Sequence, residues 1–207
     1  GINASGSAIE RVAGGVWGPY SARFKAGQVL VAPRHESPEL SADISGAEAQ
    51  VSVVAWAMKE TGHSTPGIKQ SSMAFVAGVW AEGIKARQYS MWLDLWKGDL
   101  SHLIDCEVSA VGGPTPGHEW CITRAIGTRP VPQNVWNCVA LTYDGKQIAA
   151  YNNGTIERRG NGTGGDNFYS NPLNYTKGIY RPAPGHAGGN FTVGSNVCDA
   201  PGYFEGR

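Results

Sequence analysis

Apolar and polar residues alternate over short segments along most of this chain, and the periodicity of amphipathic helices is almost absent. The clearest case is RQYSMWLDLW, residues 87–96, where large apolar residues occupy every second position: Tyr89, Met91, Leu93 and Leu95. A strand points successive side chains to opposite faces, so this set predicts one buried face. The pattern predicts an all-β protein. Further strands are expected at 51–56, 73–80, 103–111, 119–126, 136–144, 147–153 and 190–196.

Residues 136–153 carry the strongest hairpin signal. Asp144-Gly145 divides this segment, and that dipeptide suits the two-residue type I′ turn of antiparallel hairpins. Three apolar residues share one face of the first strand: Val139, Leu141 and Tyr143. The small residues Ala140 and Thr142 lie opposite, so we expect the first face to pack in the core of a sandwich.

Composition supports short strands joined by many turns. The 207 residues include 29 glycines and 12 prolines, which favour turns over helices. Lys and Arg (17) balance Asp and Glu (17), so no net charge favours nucleic acid or an anionic membrane as a partner. No apolar run approaches the roughly 20 residues of a membrane span. We predict one antiparallel β-sandwich domain over 1–207, with no interdomain linker.

Four cysteines permit three disulfide pairings. We favour Cys106 with Cys121, because a Gly-Pro tip in the hairpin 103–126 places them opposite each other. Proline is not ideal in that turn position, which weakens this register. Cys138 with Cys198 then follows by exclusion, while four buried free thiols of a cytosolic protein are the alternative.

Five Asn-x-Ser/Thr sequons are the candidate sites of glycosylation. Together with the cysteines they favour a secreted, extracellular or cell-surface glycoprotein, and the alternative is an Asn-rich set of turns. The sequons begin at Asn3, Asn153, Asn161, Asn174 and Asn190.

The hairpin resembles the W-x-x-V-A-x-T-Y-D-G…I-x-x-Y-x-N-G pattern of laminin-G-like domains in the concanavalin A-like lectin/glucanase superfamily. FTVGSN, 191–196, is similar to the late F-x-V-G strand of that family, and VSVVAW to an earlier strand. The resemblance covers about 45–207 and implies a jelly-roll sandwich. The hairpin residues that carry it are Trp136, Val139, Leu141, Tyr143, Asp144, Gly145, Ile148, Tyr151, Asn153 and Gly154.

The outward face of 87–96 is the candidate carbohydrate surface. Trp92 and Trp96 flank Asp94, and indole rings stack on sugar faces while a carboxylate accepts hydrogen bonds from hydroxyls. The resemblance places ligands in a similar location, on the concave sheet or its loops. The alternative is that the long loop 154–189 covers both indoles. Further candidates for the rim are His118, Trp120, Tyr175, Tyr180 and Arg181.

No catalytic motif stands out. The glucanase relatives carry a Glu-x-Asp-x-x-Glu strand, which this chain lacks. Asp105 and Glu107 do share one strand face, so a carboxylate pair is one interpretation and a solvated edge the preferred one. Calcium is a further family expectation, with Asp43, Asp166 and Asp199 as weak ligand candidates.

We therefore predict an exported, lectin-like module that binds a glycan or polysaccharide without catalysis. The first alternative is a structural subunit of a surface or filamentous polymer, and the second is a polysaccharide-degrading enzyme. Relatives continue with one more strand after a GYFEGR-like segment, so we hypothesise that a terminal edge strand is missing. Self-association or strand donation at the termini follows from that hypothesis.

Overall fold

Almost all regular structure in this protein is β-strand. The computed structural model describes residues 9–61, 73–94, 100–160, 169–196 and 202–207, and it has one 3-10 turn at Pro38–Leu40. In chain order the strands are β1 (Glu10–Ala13), β2 (Tyr20–Arg23), β3 (Leu30–Ala32), β4 (Val51–Ala57), β5 (Phe75–Ala81), β6 (Ala86–Trp92), β7 (Asp105–Val108), β8 (Arg124–Ile126), β9 (Asn137–Tyr143), β10 (Gln147–Asn152), β11 (Thr155–Ile156), β12 (Leu173–Asn174) and β13 (Phe191–Val193).

Two antiparallel sheets form a sandwich. The six-stranded sheet has the order β3-β13-β5-β6-β7-β8. The second sheet has the order β11-β10-β9-β4, with β12 also paired to β10. Strands β1 and β2 form a separate two-stranded sheet. The fold is the predicted all-β antiparallel sandwich, and a strand lies within or overlaps each predicted segment.

The core lies between the two large sheets and is filled from alternate strand positions. Tyr89, Met91 and Leu93 are buried in it, as their spacing predicts. The Sγ atom of Cys106 on β7 lies 3.7 Å from the carbonyl oxygen of Ala140 on β9, which shows that the two sheets face each other there. The alternation of 87–96 therefore identifies the core face of the six-stranded sheet.

The β9–β10 hairpin pairs as predicted, but its turn is shifted by one residue. The Asp144 N–H donates to the Gln147 carbonyl, so Gly145 and Lys146 are the central pair. Gly145 has φ +87° at the first central position, which is where a type II′ turn places glycine. The Asp144 carboxylate accepts from the N–H groups of Lys146 and Gln147. That side chain closes the turn in place of the predicted type I′ geometry.

The predicted Cys106–Cys121 disulfide is wrong. Cys106 is opposite Ala125 across β7 and β8, so the register differs from the predicted one. Cys106 points into the core, whereas Cys121 packs with Trp92 on the other face of the sheet. Both are free thiols, because side chains on opposite faces of one sheet cannot reach each other. Cys138 is also a free thiol, and Cys198 lies outside the described residues.

The residues 202–207 are tied to the rest of the chain on two sides. Gly206 forms one β-bridge to Phe24 and another to Lys59. Arg207 exchanges backbone hydrogen bonds with Met58. The missing edge strand and self-association through it stay predictions. Within the described ranges, no helix has the length and hydropathy needed to cross a membrane.

Candidate functional site

A groove of about 460 Å³ lies on the outer face of the six-stranded sheet. Its polar lining includes Glu107, Arg124 and Asn196. Its aromatic lining consists of Trp80, Trp92, Trp120 and Tyr169. A volume of this size suits a small ligand or a short oligomer, with a few polar groups to orient it.

The strand register brings the polar part of the floor together. Ser90 on β6 is opposite Glu107 on β7, and Glu107 is opposite Arg124 on β8. These three therefore form one row across three strands, on the face away from the core. Two positions along, Trp92 is opposite Asp105. The resulting floor has a polar row beside a row that is mostly apolar.

Neighbours in the second row explain why Asp105 is dry. Trp92 and Ile126 are its partners on the two adjoining strands, and both are buried. Asp105 is fully buried, and neither carboxylate oxygen has a hydrogen-bond partner. The interpretation of Asp105 and Glu107 as a solvated edge is therefore wrong, because both residues are buried within the sheet, at 0% and 4% exposed.

One guanidinium serves both carboxylates. Arg124 Nη1 lies 3.6 Å from Asp105 Oδ2 and 3.8 Å from Glu107 Oε1. Burial lowers the pKa of Arg124, but the two carboxylates outweigh it and the net shift is upward. Tyr169 lies beside the Arg124 guanidinium, and its hydroxyl oxygen is 3.3 Å from Nη2. Two acids thus meet one base in a site of low polarity.

Both carboxyls are held as weak acids. Burial raises the pKa of Glu107 well above its ordinary value, and the Asp105 charge adds to this, against the opposing effects of Arg124, Arg87 and Ser90. Burial likewise raises the pKa of Asp105, against the effect of Arg124. Glu107 also lines the groove, and an acid with a strongly shifted pKa in a groove is a recognised sign of a functional site.

Loop hydrogen bonds position the exposed aromatic ring of the groove. Trp120 is 48% exposed and ends a turn in which the Thr115 N–H donates to the Trp120 carbonyl. The Thr115 hydroxyl oxygen accepts from the Ile122 N–H, which ties the turn to the strand that follows. Trp120 therefore stands at the rim with its ring open to solvent.

A second anchor places Tyr169. Asn171 is buried, its side-chain oxygen accepts from the Ala150 N–H, and its amide donates to the carbonyls of Ala150 and Glu157. The side chain of Asn171 thus fastens this part of the long loop to β10. Two residues earlier, Tyr169 lies over the Arg124 guanidinium, with 4.8 Å from Cζ to the ring centroid.

The predicted Trp92–Asp94–Trp96 surface is divided in the structure. Trp92 lines the groove but is 2% exposed and packs edge-on against Phe75, with 4.8 Å between ring centroids. Asp94 pairs with Lys59 and accepts from the His102 N–H, so its oxygens hold a loop together. Trp96 lies outside the described residues. Trp92 contributes to the floor, and its role in binding stays a prediction.

The other predicted rim residues are scattered. Trp120 lines the groove, and His118 is exposed in the same turn. Tyr175 is buried between the sheets, where its hydroxyl accepts from Ala110 N–H. Tyr180 and Arg181 belong to another loop, and Arg181 donates to Ser45. Of the five, only Trp120 lies among the described residues that line the groove.

The predicted modification and calcium positions remain predictions. Asn153, Asn174 and Asn190 are exposed, although each side-chain oxygen accepts a hydrogen bond. Asn3, Asn161, Asp166 and Asp199 lie outside the described residues. Asp43 is exposed, and no three His, Cys, Asp or Glu side chains in the described ranges converge as a metal site would require.

Sequence reasoning missed Arg124 and Trp80 and undervalued Glu107. The available signal was the alternation of Asp105 and Glu107 in the DCEV segment, which puts both on the face opposite the core-facing Cys106. The arginine that joins them is 17 residues later in the chain, and no local pattern connects it to them. Only the pairing of β7 with β8 makes that connection.

The comparisons with known proteins concern the fold. No protein-family model matches the chain, and no curated protein matches it in sequence. A similar solved structure is domain 4 of AbnA, a GH43 extracellular arabinanase from Geobacillus stearothermophilus, in complex with arabinotriose. The TM-score is 0.50 at 17% identity, over 99% of this chain and 74% of that one. The chain therefore has a β-sandwich fold similar to that of this domain.

Proposed function

We propose that this protein is a carbohydrate-binding module of the laminin-G-like type, and that the groove on the six-stranded sheet is its binding site. The observation that carries the proposal is an exposed indole, Trp120, beside a floor of buried polar side chains. Sugar rings have apolar faces and polar rims. An aromatic plate with hydrogen-bonding groups next to it matches both.

The polar floor supports orientation of a sugar rather than simple adhesion. Ser90, Glu107 and Arg124 are all under 10% exposed, so their positions are set by the sheet and not by solvent. A sugar hydroxyl that enters such a site exchanges hydrogen bonds with fixed partners. Fixed partners give specificity because they reject a ligand that leaves them unpaired.

The ligand of the AbnA domain suggests the first carbohydrate to test. That domain is described in complex with arabinotriose, and the arabinanase is described as extracellular. We carry both features over as proposals: a pentose oligosaccharide as the first ligand to test, and a location outside the cell. The free thiols of Cys106 and Cys121 do not support a location outside the cell.

The proposal is tested by calorimetric titration with arabinotriose and by a glycan array. We expect Trp120→Ala to lower affinity by about tenfold, roughly 1.4 kcal/mol, because the stacking surface is lost. The matched control is Trp56→Ala. Trp56 is 39% exposed on β4 of the opposite sheet, where Trp17 packs edge-on at 6.0 Å between ring centroids.

Binding that survives Trp120→Ala but is lost in Trp56→Ala would move the site to the opposite sheet. If neither arabinotriose nor any arrayed glycan binds the unaltered protein, the carbohydrate proposal is wrong.

A further inference from the structure

Glu107 lines the groove, and the sheet around it contains more acid than base. Asp105 and Glu107 face one guanidinium, that of Arg124, at 3.6 and 3.8 Å. Both distances are too long for hydrogen bonds, so neither carboxylate is fully compensated. An uncompensated buried charge is costly, and a buried acid avoids the cost by keeping a proton.

The surrounding charged groups do not remove this surplus. Arg87 on β6 is paired with Glu82. Arg159 donates to the Gly127 carbonyl at 2.9 Å and has the weakest named effect on Asp105. Two thiols also interact with the charge of Glu107. Burial raises the pKa of Cys121 to about 12 and raises the pKa of Cys106 as well, so both thiols are neutral.

A chain of hydrogen bonds shows which oxygen of Glu107 is free to carry a proton. The Trp92 indole N–H can only donate, and it donates to Ser90 Oγ at 2.8 Å. Ser90 is fully buried, and among the described residues the acceptor within reach of its hydroxyl is Glu107 Oε2, at 3.3 Å. Oε2 is therefore occupied as an acceptor, which leaves Oε1 to hold the proton.

We propose that Glu107 is a protonated carboxylic acid at neutral pH, and that it donates a hydrogen bond from Oε1 to a hydroxyl or ring oxygen of the glycan in the groove. This rests on the proposed function for the identity of the ligand, and the proton itself does not depend on it. The ligand class is an uncharged sugar at this subsite. A uronate would bring a further carboxylate next to Asp105 and Glu107.

Loss of the proton turns the subsite from a donor into an anion. The upward pKa shift of Glu107 comes from burial first and from Asp105 second. Above that pKa the ionised carboxylate can only accept, and a sugar ring oxygen facing it would have no partner. Affinity for an uncharged glycan should therefore fall as the solution becomes alkaline.

Glu107→Gln is the decisive variant. Glutamine keeps an oxygen to accept from Ser90 and an N–H to donate in the place of Oε1, and it does not titrate. For arabinotriose we expect wild-type affinity to fall at least about tenfold between about pH 6 and about pH 9.5, as expected for losing one good hydrogen bond. Glu107→Gln should bind as tightly as wild type at the lower pH and show a much smaller fall at the higher pH, since Asp105 still titrates there. Glu107→Ala, which has no donor, should bind weakly at both.

A measurement without ligand separates this inference from the proposed function. In ¹³C-glutamate-labelled protein, the carboxyl resonance assigned by its absence in Glu107→Gln should titrate above neutral pH. A midpoint near the ordinary value of about 4.3 would overturn the inference. A raised midpoint in a protein that binds no glycan would instead reject the proposed function and support the proton. Release of reducing ends by wild type but not by Glu107→Gln would overturn the role of a binding donor in favour of an acid catalyst.

Discussion

The outward faces of the two sheets have opposite characters. On the six-stranded sheet, Ser90, Glu107 and Arg124 face outward yet are almost dry. On the other sheet, Val54 is 63% and Trp56 is 39% exposed. Polar groups are thus buried on one face and apolar groups are open on the other. Both arrangements are the reverse of what solvent favours, and each needs its own explanation.

The buried polar face is the one that has a groove. Glu107 and Arg124 line this groove together with Trp92 in the floor and with Trp120 and Tyr169 from the loops. The exposed apolar residues Val54 and Trp56 offer apolar area for contact rather than a set of oriented charged groups. The ligand site that we propose is therefore on the six-stranded sheet, and self-association at the termini stays a prediction.

The largest effect on stability is expected from removing the guanidinium of Arg124. Arg124→Met leaves Asp105 and Glu107 without a counter-charge, and breaking a buried ion pair in this way costs about 3–5 kcal/mol. The loss should appear in urea unfolding at about pH 9 and shrink at about pH 5, where both carboxyls are protonated.

Arg11→Met is the control for that change. Arg11 is exposed and lies over the Tyr20 ring in the separate β1–β2 sheet, so its loss should cost no more than about 0.5 kcal/mol. Equal losses for Arg124→Met at both pH values would contradict a charge effect and indicate lost packing.

The dependence of stability on pH should differ between the two sheets. Burial raises the pKa of Asp105, so the folded state holds a proton that the unfolded state releases near pH 4. Stability contributed by this proton is complete below that pH and is lost as pH rises toward the folded pKa. Asp105→Asn should therefore reduce the fall in the free energy of unfolding between about pH 5 and about pH 8 by roughly 1–2 kcal/mol, as measured by thermal unfolding.

Asp144, in the β9–β10 turn of the opposite sheet, should give the opposite dependence of stability on pH. Hydrogen bonds from the Gln147 and then the Lys146 N–H lower its pKa. Its contribution is present above the unfolded pKa and disappears as the solution becomes more acidic. Asp144→Asn should thus lower the free energy of unfolding at neutral pH and change it little at about pH 3. The same pH profile for both variants would contradict the difference between the sheets.

The smallest effect is expected in the reactivity of the thiols, whose rates depend on the burial of the outer face of each sheet and of the core. In a Cys198→Ala background, a disulfide reagent should modify Cys138 first, because it is half-buried on the outer face of β9. Cys121 should follow slowly because burial raises its pKa to about 12, and bound glycan should protect it. Cys106 should react only on unfolding, since it lies between the sheets and its pKa is raised by burial.

Full reaction of all three thiols in urea is the control for reagent and labelling. A Cys106 that reacts in the folded protein would contradict its position in the core.

Much of the fold was predictable because strand alternation is a local property. The two-residue period of 87–96 was enough to place Tyr89, Met91 and Leu93 in the core. The turn after β9 was found from Asp144 and Gly145, although its type depends on a side-chain hydrogen bond that the dipeptide alone does not specify. Local signals of this kind need no knowledge of the neighbouring strands.

The site was harder to predict because it depends on register. Trp92 was correctly placed on the face away from the main core, but it is 2% exposed because it packs in a second buried cluster with Phe75, Trp80 and Cys121. The predicted disulfide is wrong for a related reason. Cys106 pairs with Ala125, which lies four residues after Cys121 in the chain. Pairing register is a long-range quantity, and a turn-rich loop between two strands does not reveal it.

The sequence by itself determined an antiparallel β-sandwich and the inward and outward faces of its strands, because a strand alternates residue by residue wherever it lies. Only the tertiary structure decided that Glu107, Arg124 and Trp120 meet, since they come from two strands and a loop whose alignment is set by packing across the whole sheet. The same packing removes water from two carboxyls and leaves them one guanidinium. The chemistry of the groove therefore arises from burial, which no short segment of the chain encodes.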